Sequence, residues 1–294
     1  MEWKRDWGLT GRVWLTMFLL FILYLVLMTV LLAFGAGYWL IVLLAVGMGL
    51  VQYFFSDKLV LWSTGARILE DGEYPDLHRT VEKLCREADL PKPRIAIMQS
   101  PVPNAFATGR SPKHAVVACT DSIMQLLNKD ELEAVLAHEL AHVKNRDILT
   151  LTMASFIAMI TSLIMQSFFF SALFGGHDSE EGNSGMIVWI VSIAVYAIST
   201  LLILALSRYR EFAADRGSAL ITKNPRALIA ALNKISGRMD VVPAQYKAQV
   251  EGANAFFIIP AVSKNSLLEL LSTHPPLEKR IANLERVEAE LRRK

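Results

Sequence analysis

The string His138-Glu139-Leu140-Ala141-His142 sets two imidazoles four residues apart with a carboxylate beside the first. Residues at i and i+4 share one face of an α-helix, so both rings can reach a single metal ion from a rigid backbone. Glu139 then adjoins the metal without being needed as a ligand. That suits it to take a proton from a water whose pKa zinc lowers to about 7. A catalytic zinc uses three protein ligands and keeps one position open, so a third ligand is required. Glu211 is the best placed, because it starts a second i, i+4 pair with Asp215 inside an apolar stretch. His78 and His114 are distant in the N-terminal part, and His177 falls in a loop expected on the opposite side of a membrane. Asp215 and Asp147 are candidate acceptors that hold an imidazole in one tautomer; for Asp147, a solvated carboxylate at a helix end is an equal alternative.

The elements that must position these groups follow from the distribution of apolar residues. The chain has 294 residues, of which 53% are hydrophobic and 20% charged, against roughly 25% charged in an average soluble domain. Disorder is excluded by the apolar content, and two cysteines, Cys85 and Cys119, are too few for a disulfide scaffold. Segments 13–34, 38–55, 149–174 and 186–206 contain no Lys, Arg, Asp, Glu or His. At ~1.5 Å per residue each is long enough as a helix to cross a hydrocarbon core of about 30 Å. Four transmembrane helices are expected, with a re-entrant hairpin as the alternative for 38–55. The first run exceeds the ~7 to 15 apolar residues of a signal peptide and another run follows at once, which favours an uncleaved helical hairpin.

Orientation comes from charge. Lys4, Arg5 and Arg12 precede the first span, Lys58 and Arg67 follow the second, Lys144 and Arg146 precede the third, and Arg208, Arg210 and Arg216 follow the fourth. The loop 175–185 has three acidic residues and no basic one. All Lys and Arg therefore fall on one side, which the positive-inside rule makes the cytoplasm. Both termini and both polar segments, 56–148 and 207–294, are expected there, in a multi-pass plasma-membrane protein. A net charge of +2 carries no nucleic-acid signature.

Within 56–148, residues 78–88 have helical spacing, and 94–98 and 114–119 read as short strands. Residues 104–109 form a third strand at an edge. After Thr120 as N-cap the chain turns helical over 121–127 and 130–148. Segment 207–294 reads as helices over 207–222, 225–236 and 277–293, while 240–265 shows no clear period.

His138-Glu139-Leu140-Ala141-His142, followed by Glu211-Phe212-Ala213-Ala214-Asp215 after a two-helix membrane hairpin, resembles the HtpX-type membrane metalloproteases, relatives of the CAAX prenyl endopeptidases. The likeness extends to Asn104-Ala105-Phe106-Ala107-Thr108-Gly109 and to His274-Pro275-Pro276-Leu277-Glu278-Lys279-Arg280. The resemblance implies one Zn²⁺ per chain on His138, His142 and Glu211, with Glu139 as general base and Asp215 behind the ligands. It further implies His274 and Arg280 as groups stabilising the oxyanion; spacing alone does not bring His274 to the metal. Asn104, Ala105, Phe106, Ala107 and Thr108 would offer a strand edge to a peptide substrate, with a plain structural strand as the alternative.

The fold expected is thus an α-helical membrane protein with four transmembrane helices and a mainly helical, zincin-like metalloprotease domain carrying a small β-sheet. It divides into a membrane hairpin (1–55), a part bearing the HExxH motif (56–148), a second hairpin (149–206) and a part bearing the third ligand (207–294). The implied activity is zinc-dependent hydrolysis of misfolded membrane proteins or unfolded polypeptides. The competing readings are a prenyl-protein endopeptidase, a membrane scaffold with a structural zinc, and a transporter. Structural zinc normally fills four positions with Cys and His, and charge-free spans count against transport. Substrate, oligomeric state and restraint of activity stay open.

Overall fold

Helices that are apolar on every side must lie in lipid or in a protein core, and the charge-free runs form such helices here. A computed structural model of the chain describes residues 7–33, 39–70, 72–174, 182–243, 245–246, 258 and 273–293. Along the chain, α1 (Trp7–Ala33) and α2 (Trp39–Thr64) come first, followed by β1 (Arg67–Ile68), α3 (Pro75–Ala88), β2 (Arg94–Met98), β3 (Ala105–Thr108), β4 (Val116–Thr120) and α4 (Asp121–Leu126). The remainder is helical: α5 (Lys129–Asn145), α6 (Asp147–Phe174), α7 (Gly182–Thr222), α8 (Pro225–Val241) and α9 (Leu277–Arg292).

Among the described residues, three helical stretches are long and apolar enough to cross a membrane: Trp7–Ala33, Asp147–Phe169 and Gly185–Thr222. The expected span 38–55 is not among them; the apolar stretch within α2 is the shorter Val46–Phe55. The linker 35–37 and loop residues 175–181 lie outside the described residues. Leu20, Leu27 and Leu31 of α1 pack with Ile157, Ile160 and Ile164 of α6 and with Val188 and Val195 of α7. Trp14, Phe18 and Phe21 of α1 point outward, as side chains meant for lipid do.

The strands form one sheet in the order β1-β2-β4-β3, with β2 and β4 parallel and the outer pairs antiparallel. The two-residue β1 was not expected from the sequence. Period-two alternation splits the sheet between two cores. Ile95, Ile97, Ala105, Val117 and Cys119 face α3 and α5, and Ala96, Met98, Phe106, Val116 and Ala118 join Val60 of α2 on the other face. The turn from β3 to β4 needs a glycine: Gly109 has φ +117°, and a Cβ there would lie 2.3 Å from the His114 carbonyl oxygen. Thr120 caps α4 as expected, its hydroxyl accepting from the Ile123 N–H at 3.2 Å.

One expectation needs correcting. The helix read over 130–148 ends at Asn145, because Arg146 adopts a left-handed conformation (φ +55°), and α6 starts immediately at Asp147. The start of α5 is secured by a capping box in which Asn128 Oδ1 accepts from the Glu131 N–H and Glu131 accepts from the Asn128 N–H, both at 2.9 Å.

Both cysteines are core residues. Burial pushes the Cys85 thiol up to about 11 and the Cys119 thiol up to about 12, the latter helped by nearby Glu139. Since the thiolate is the reactive species, neither should react with an aromatic disulfide reagent at about pH 8 until the protein unfolds. Mass spectrometry of labelled native and denatured protein reads this directly; stoichiometric labelling of the native form would contradict it.

Candidate metal centre

Two helices with matching stripes of small residues build the site. On α5 the stripe is Ala134, Ala137, His138, Ala141 and His142; on α7 it is Glu211, Ala214, Asp215, Ser218 and Ala219. Both follow the i, i+3, i+4, i+7, i+8 spacing of one helical face. The contacts run in opposite sequence directions. The Ser218 hydroxyl donates to the Ala134 carbonyl at 2.6 Å, His138 meets Asp215, and His142 meets Glu211. The helices are therefore antiparallel, and alanines at the crossing let their backbones approach closely enough for a glutamate to reach both histidines. α7 is a single unbroken helix of 41 residues, so Glu211 stands on the same element as the fourth expected span.

The ligand atoms converge. His138 Nε2 and His142 Nε2 are 3.2 Å apart, and the Glu211 carboxylate oxygens lie 3.6 Å from the first and 3.4 Å from the second. All three residues offer atoms within 4.8 Å of one another. Each imidazole is held from behind by a carboxylate: His138 Nδ1 is 3.0 Å from Asp215 Oδ1, and His142 Nδ1 is 2.6 Å from Asp147 Oδ2. With the ring protons on Nδ1, towards these carboxylates, both Nε2 atoms turn inward, the arrangement of metal-binding histidines. Two imidazole nitrogens and a buried carboxylate gathered at one spot suit a bound cation, and Glu211 Oε2 is buried without a well-formed hydrogen bond among the described residues. The residues fit a divalent metal of the zinc type, which takes nitrogen and oxygen ligands from three side chains.

The same geometry governs the protons of the metal-free site. Burial disfavours a charged imidazole at His142, but hydrogen bonds to Asp147 and Glu211 outweigh it and lift the group to about 10. His138 moves the same way, with burial opposed by Asp215 and Glu211. Glu139 is pushed above the usual carboxylate range by burial, against the opposing effect of the two histidines.

The helix break after α5 explains Asp147. Left-handed Arg146 turns the chain back so that Asp147, five residues after His142, reaches its ring. Arg210 Nε then pairs with Asp147 Oδ1 at 2.9 Å. Of the alternatives for Asp147, the solvated carboxylate is the one the structure does not show, since Asp147 is 4% exposed. Arg210 was not singled out from the sequence, although its place beside Glu211 on α7 was the available signal.

His274 and Arg280 are both brought to the site. His274 is buried, its Nδ1 3.1 Å from Glu211 Oε2. Arg280 is 2% exposed and turned to Asp215, with Nε 2.9 Å from Oδ2 and Nη2 2.6 Å from Oδ1, while Nη1 donates to the Ile258 carbonyl at 2.6 Å. A bidentate guanidinium of this kind fixes orientation as well as charge. Arg280 also comes within 3.5 Å of Glu211 Oε2, through Nη1.

β3 lies beside α5 at an edge of the sheet, with no further strand paired to it among the described residues. The Thr120 N–H donates to the Asn104 carbonyl, and Asn104 N–H to the Thr120 hydroxyl, each at 2.9 Å. With the observed register, residues 104, 106 and 108 face β4 through their backbones, and Ala105 and Ala107 turn theirs away from β4. The Ala107 N–H donates to the Glu139 carboxylate. Asn104 also accepts from the Ile258 N–H at 3.1 Å through its side chain, so Ile258 ties Asn104 to Arg280. Of 240–265, left without assignment from the sequence, residues 244, 247–257 and 259–265 lie outside the described residues.

Comparison with known proteins agrees with this geometry. The profile of peptidase family M48 matches residues 72–288. The chain is 55% identical over 292 residues to "Protease HtpX homolog 2" of Methanosarcina acetivorans, covering 99% of both chains. It is 55% identical to "Protease HtpX homolog" of Moorella thermoacetica, covering 97% of this chain and 96% of that one, and 42% identical to "Protease HtpX homolog" of Pyrococcus furiosus, covering 84% and 86%. In fold it is similar to the crystal structure of S. mikatae Ste24p, with a TM-score of 0.56 at 17% identity, over 94% of this chain and 67% of that one. A helix-borne HExxH motif, a glutamate from a second helix and a sequence match across both polar segments lead to one conclusion: the chain belongs to peptidase family M48.

Proposed function

We propose that the chain is an integral-membrane zinc endopeptidase that cleaves misfolded or damaged membrane proteins and unfolded polypeptides on the cytoplasmic side. The observation that carries this is the convergence of His138, His142 and Glu211 directly beside a buried Glu139 and the outer edge of β3. One zinc, held by those three side chains, would supply Lewis-acid polarisation of the scissile carbonyl and of the attacking water. Glu139, made more basic by burial, accepts the water proton and passes it to the leaving amine. His274 stands against Glu211 as the group nearest the developing oxyanion, and Arg280 keeps Asp215, and through it His138, in place. A substrate segment pairs along the outer edge of β3 through the Ala105 N–H and the C=O groups of Ala105 and Ala107, the Ala107 N–H being already donated to Glu139. That mode reads backbone rather than side chains and suits a protease whose targets share only their unfolded state. α2 is taken as a fourth span, and the segregation of Lys and Arg orients the site to the cytoplasm.

The test uses the full chain purified in detergent with an unfolded membrane protein as substrate and a farnesylated peptide beside it. The expected result is cleavage of the former, abolished by a chelator, restored by zinc, and lost with bound zinc in Glu211→Ala. Undiminished cleavage by protein shown to be metal-free would overturn the proposal, and preference for the farnesylated peptide would move it to prenyl-protein processing.

A further inference from the structure

Away from the metal centre, a cavity of about 750 Å³ opens where α2 meets the sheet. One wall is apolar, made by Leu50, Val51, Phe54 and Phe55 near the end of the span expected in α2, and these side chains are about half exposed. The opposite wall is basic: Lys58, Lys92, Arg94, Arg110 and Lys113, with Asp57 as the one carboxylate. Asp57 is taken by Arg94 at 2.6 Å, and Lys92 by Glu82 at 2.6 Å. Lys58, Arg110 and Lys113 form no ion pair among the described residues. Lys58 and Arg110 instead sit over the rings of Phe55 and Phe54, at 5.5 Å and 5.6 Å, and Arg110 Nη1 also donates to the Phe54 carbonyl at 3.4 Å. Arg110 and Lys113 are presented by the β3–β4 turn, which Gly109 closes against the His114 carbonyl.

We propose that this cavity binds one anionic phospholipid of the surrounding bilayer, its phosphate held by Lys58, Arg110 and Lys113 and an acyl chain lying along Leu50, Val51 and Phe54. Three cations outside any ion pair, at the basic side of a membrane, attract anionic headgroups. The apolar wall, continuous with the outer surface of α2, selects a lipid over a soluble anion. The site does not depend on the peptidase chemistry, only on α2 ending at the membrane surface.

The experiment uses the full chain in detergent, stripped of lipid, with dioleoyl phosphatidylglycerol, dioleoyl phosphatidylcholine, inorganic phosphate and a polyglutamate peptide as separate probes. Native mass spectrometry reads stoichiometry, and thermal unfolding reads stabilisation. One phosphatidylglycerol should be retained in preference to phosphatidylcholine. Affinity should fall roughly tenfold or more in the triple variant Lys58→Gln, Arg110→Gln, Lys113→Gln. The triple variant Arg79→Gln, Arg238→Gln, Arg286→Gln, with the same loss of charge elsewhere, should bind as the wild type does. If the first triple variant fails to fold, Lys113→Gln alone, on an exposed turn, should still weaken binding measurably. Equal retention of the two lipids, unchanged binding by the folded variants, or equal stabilisation by inorganic phosphate or polyglutamate would each overturn the assignment.

Discussion

Glu139→Gln should retain one zinc per chain and lose hydrolysis by about 10²- to 10⁴-fold, the usual contribution of a positioned general base. The substitution keeps the shape of the side chain and its place against β3. It removes the ability to accept a proton, and it replaces an acceptor with an amide beside the Ala107 N–H. Because Glu139 stands outside the set His138, His142 and Glu211, metal content should be unaffected, which separates this variant from Glu211→Ala. The measurement is zinc content together with turnover of an unfolded membrane protein. Normal turnover with zinc bound would remove Glu139 from the mechanism.

The second large effect is expected at Arg280, on stability and on metal affinity together. Its guanidinium is the buried counter-charge of Asp215 and lies 3.5 Å from Glu211. Arg280→Leu would leave buried carboxylates without that partner, and breaking such a pair from one side costs about 3–5 kcal/mol. For a chain of this size the unfolding temperature should fall by on the order of 10 °C. A positioning role makes a further demand: with Asp215 released, His138 loses its orientation and zinc affinity should drop roughly 10- to 100-fold. Adding Asp215→Asn to Arg280→Leu should recover part of the thermal stability, because the stranded charge is gone, without recovering the affinity. Calorimetry in detergent and a zinc titration distinguish these results. If Arg280→Leu alone leaves both quantities unchanged, the ion pair contributes nothing of consequence.

How much of this could be read from the chain varied with the kind of signal. His138 and His142 share one helical face by spacing alone, with Glu139 next to the first of them, and Glu211 followed from the need for a third ligand near the end of a returning span. The apolar runs marked the long helices because so long a stretch without charge is rare outside a membrane-crossing helix. What escaped was set by single backbone conformations and by tertiary pairing. The left-handed turn at Arg146 has no strong residue preference, yet it ends α5 three residues early and delivers Asp147 to His142. β1, two residues long, has no periodicity to detect. Arg210 looked like one basic residue among thirty, and Arg280 was marked only by the resemblance; the antiparallel contact of α5 with α7 and the return of α9 show that each pairs with a buried aspartate behind a ligand. Residues 104–109 were legible as a strand, but which backbone groups face outward depends on the register with β4.

The continuity of α7 has a mechanical meaning. A straight helix of 41 residues is about 60 Å long and turns ~100° per residue, so it behaves as a shaft with a fixed rotational phase between its lipid-facing end and Glu211. Inserting one alanine near residue 207 would swing Glu211 by about 100° and advance it ~1.5 Å, carrying it off the ligand face while leaving composition and span length almost unchanged. His138 and His142 stand on α5, a separate helix set off by the turn at Arg146, so an insertion in α7 leaves their own phase unchanged. The bilayer thus grips one ligand through a continuous shaft and the other two through a turn and through the carboxylates of Asp147 and Asp215, which makes the alignment of the metal site a function of how α7 sits in its membrane.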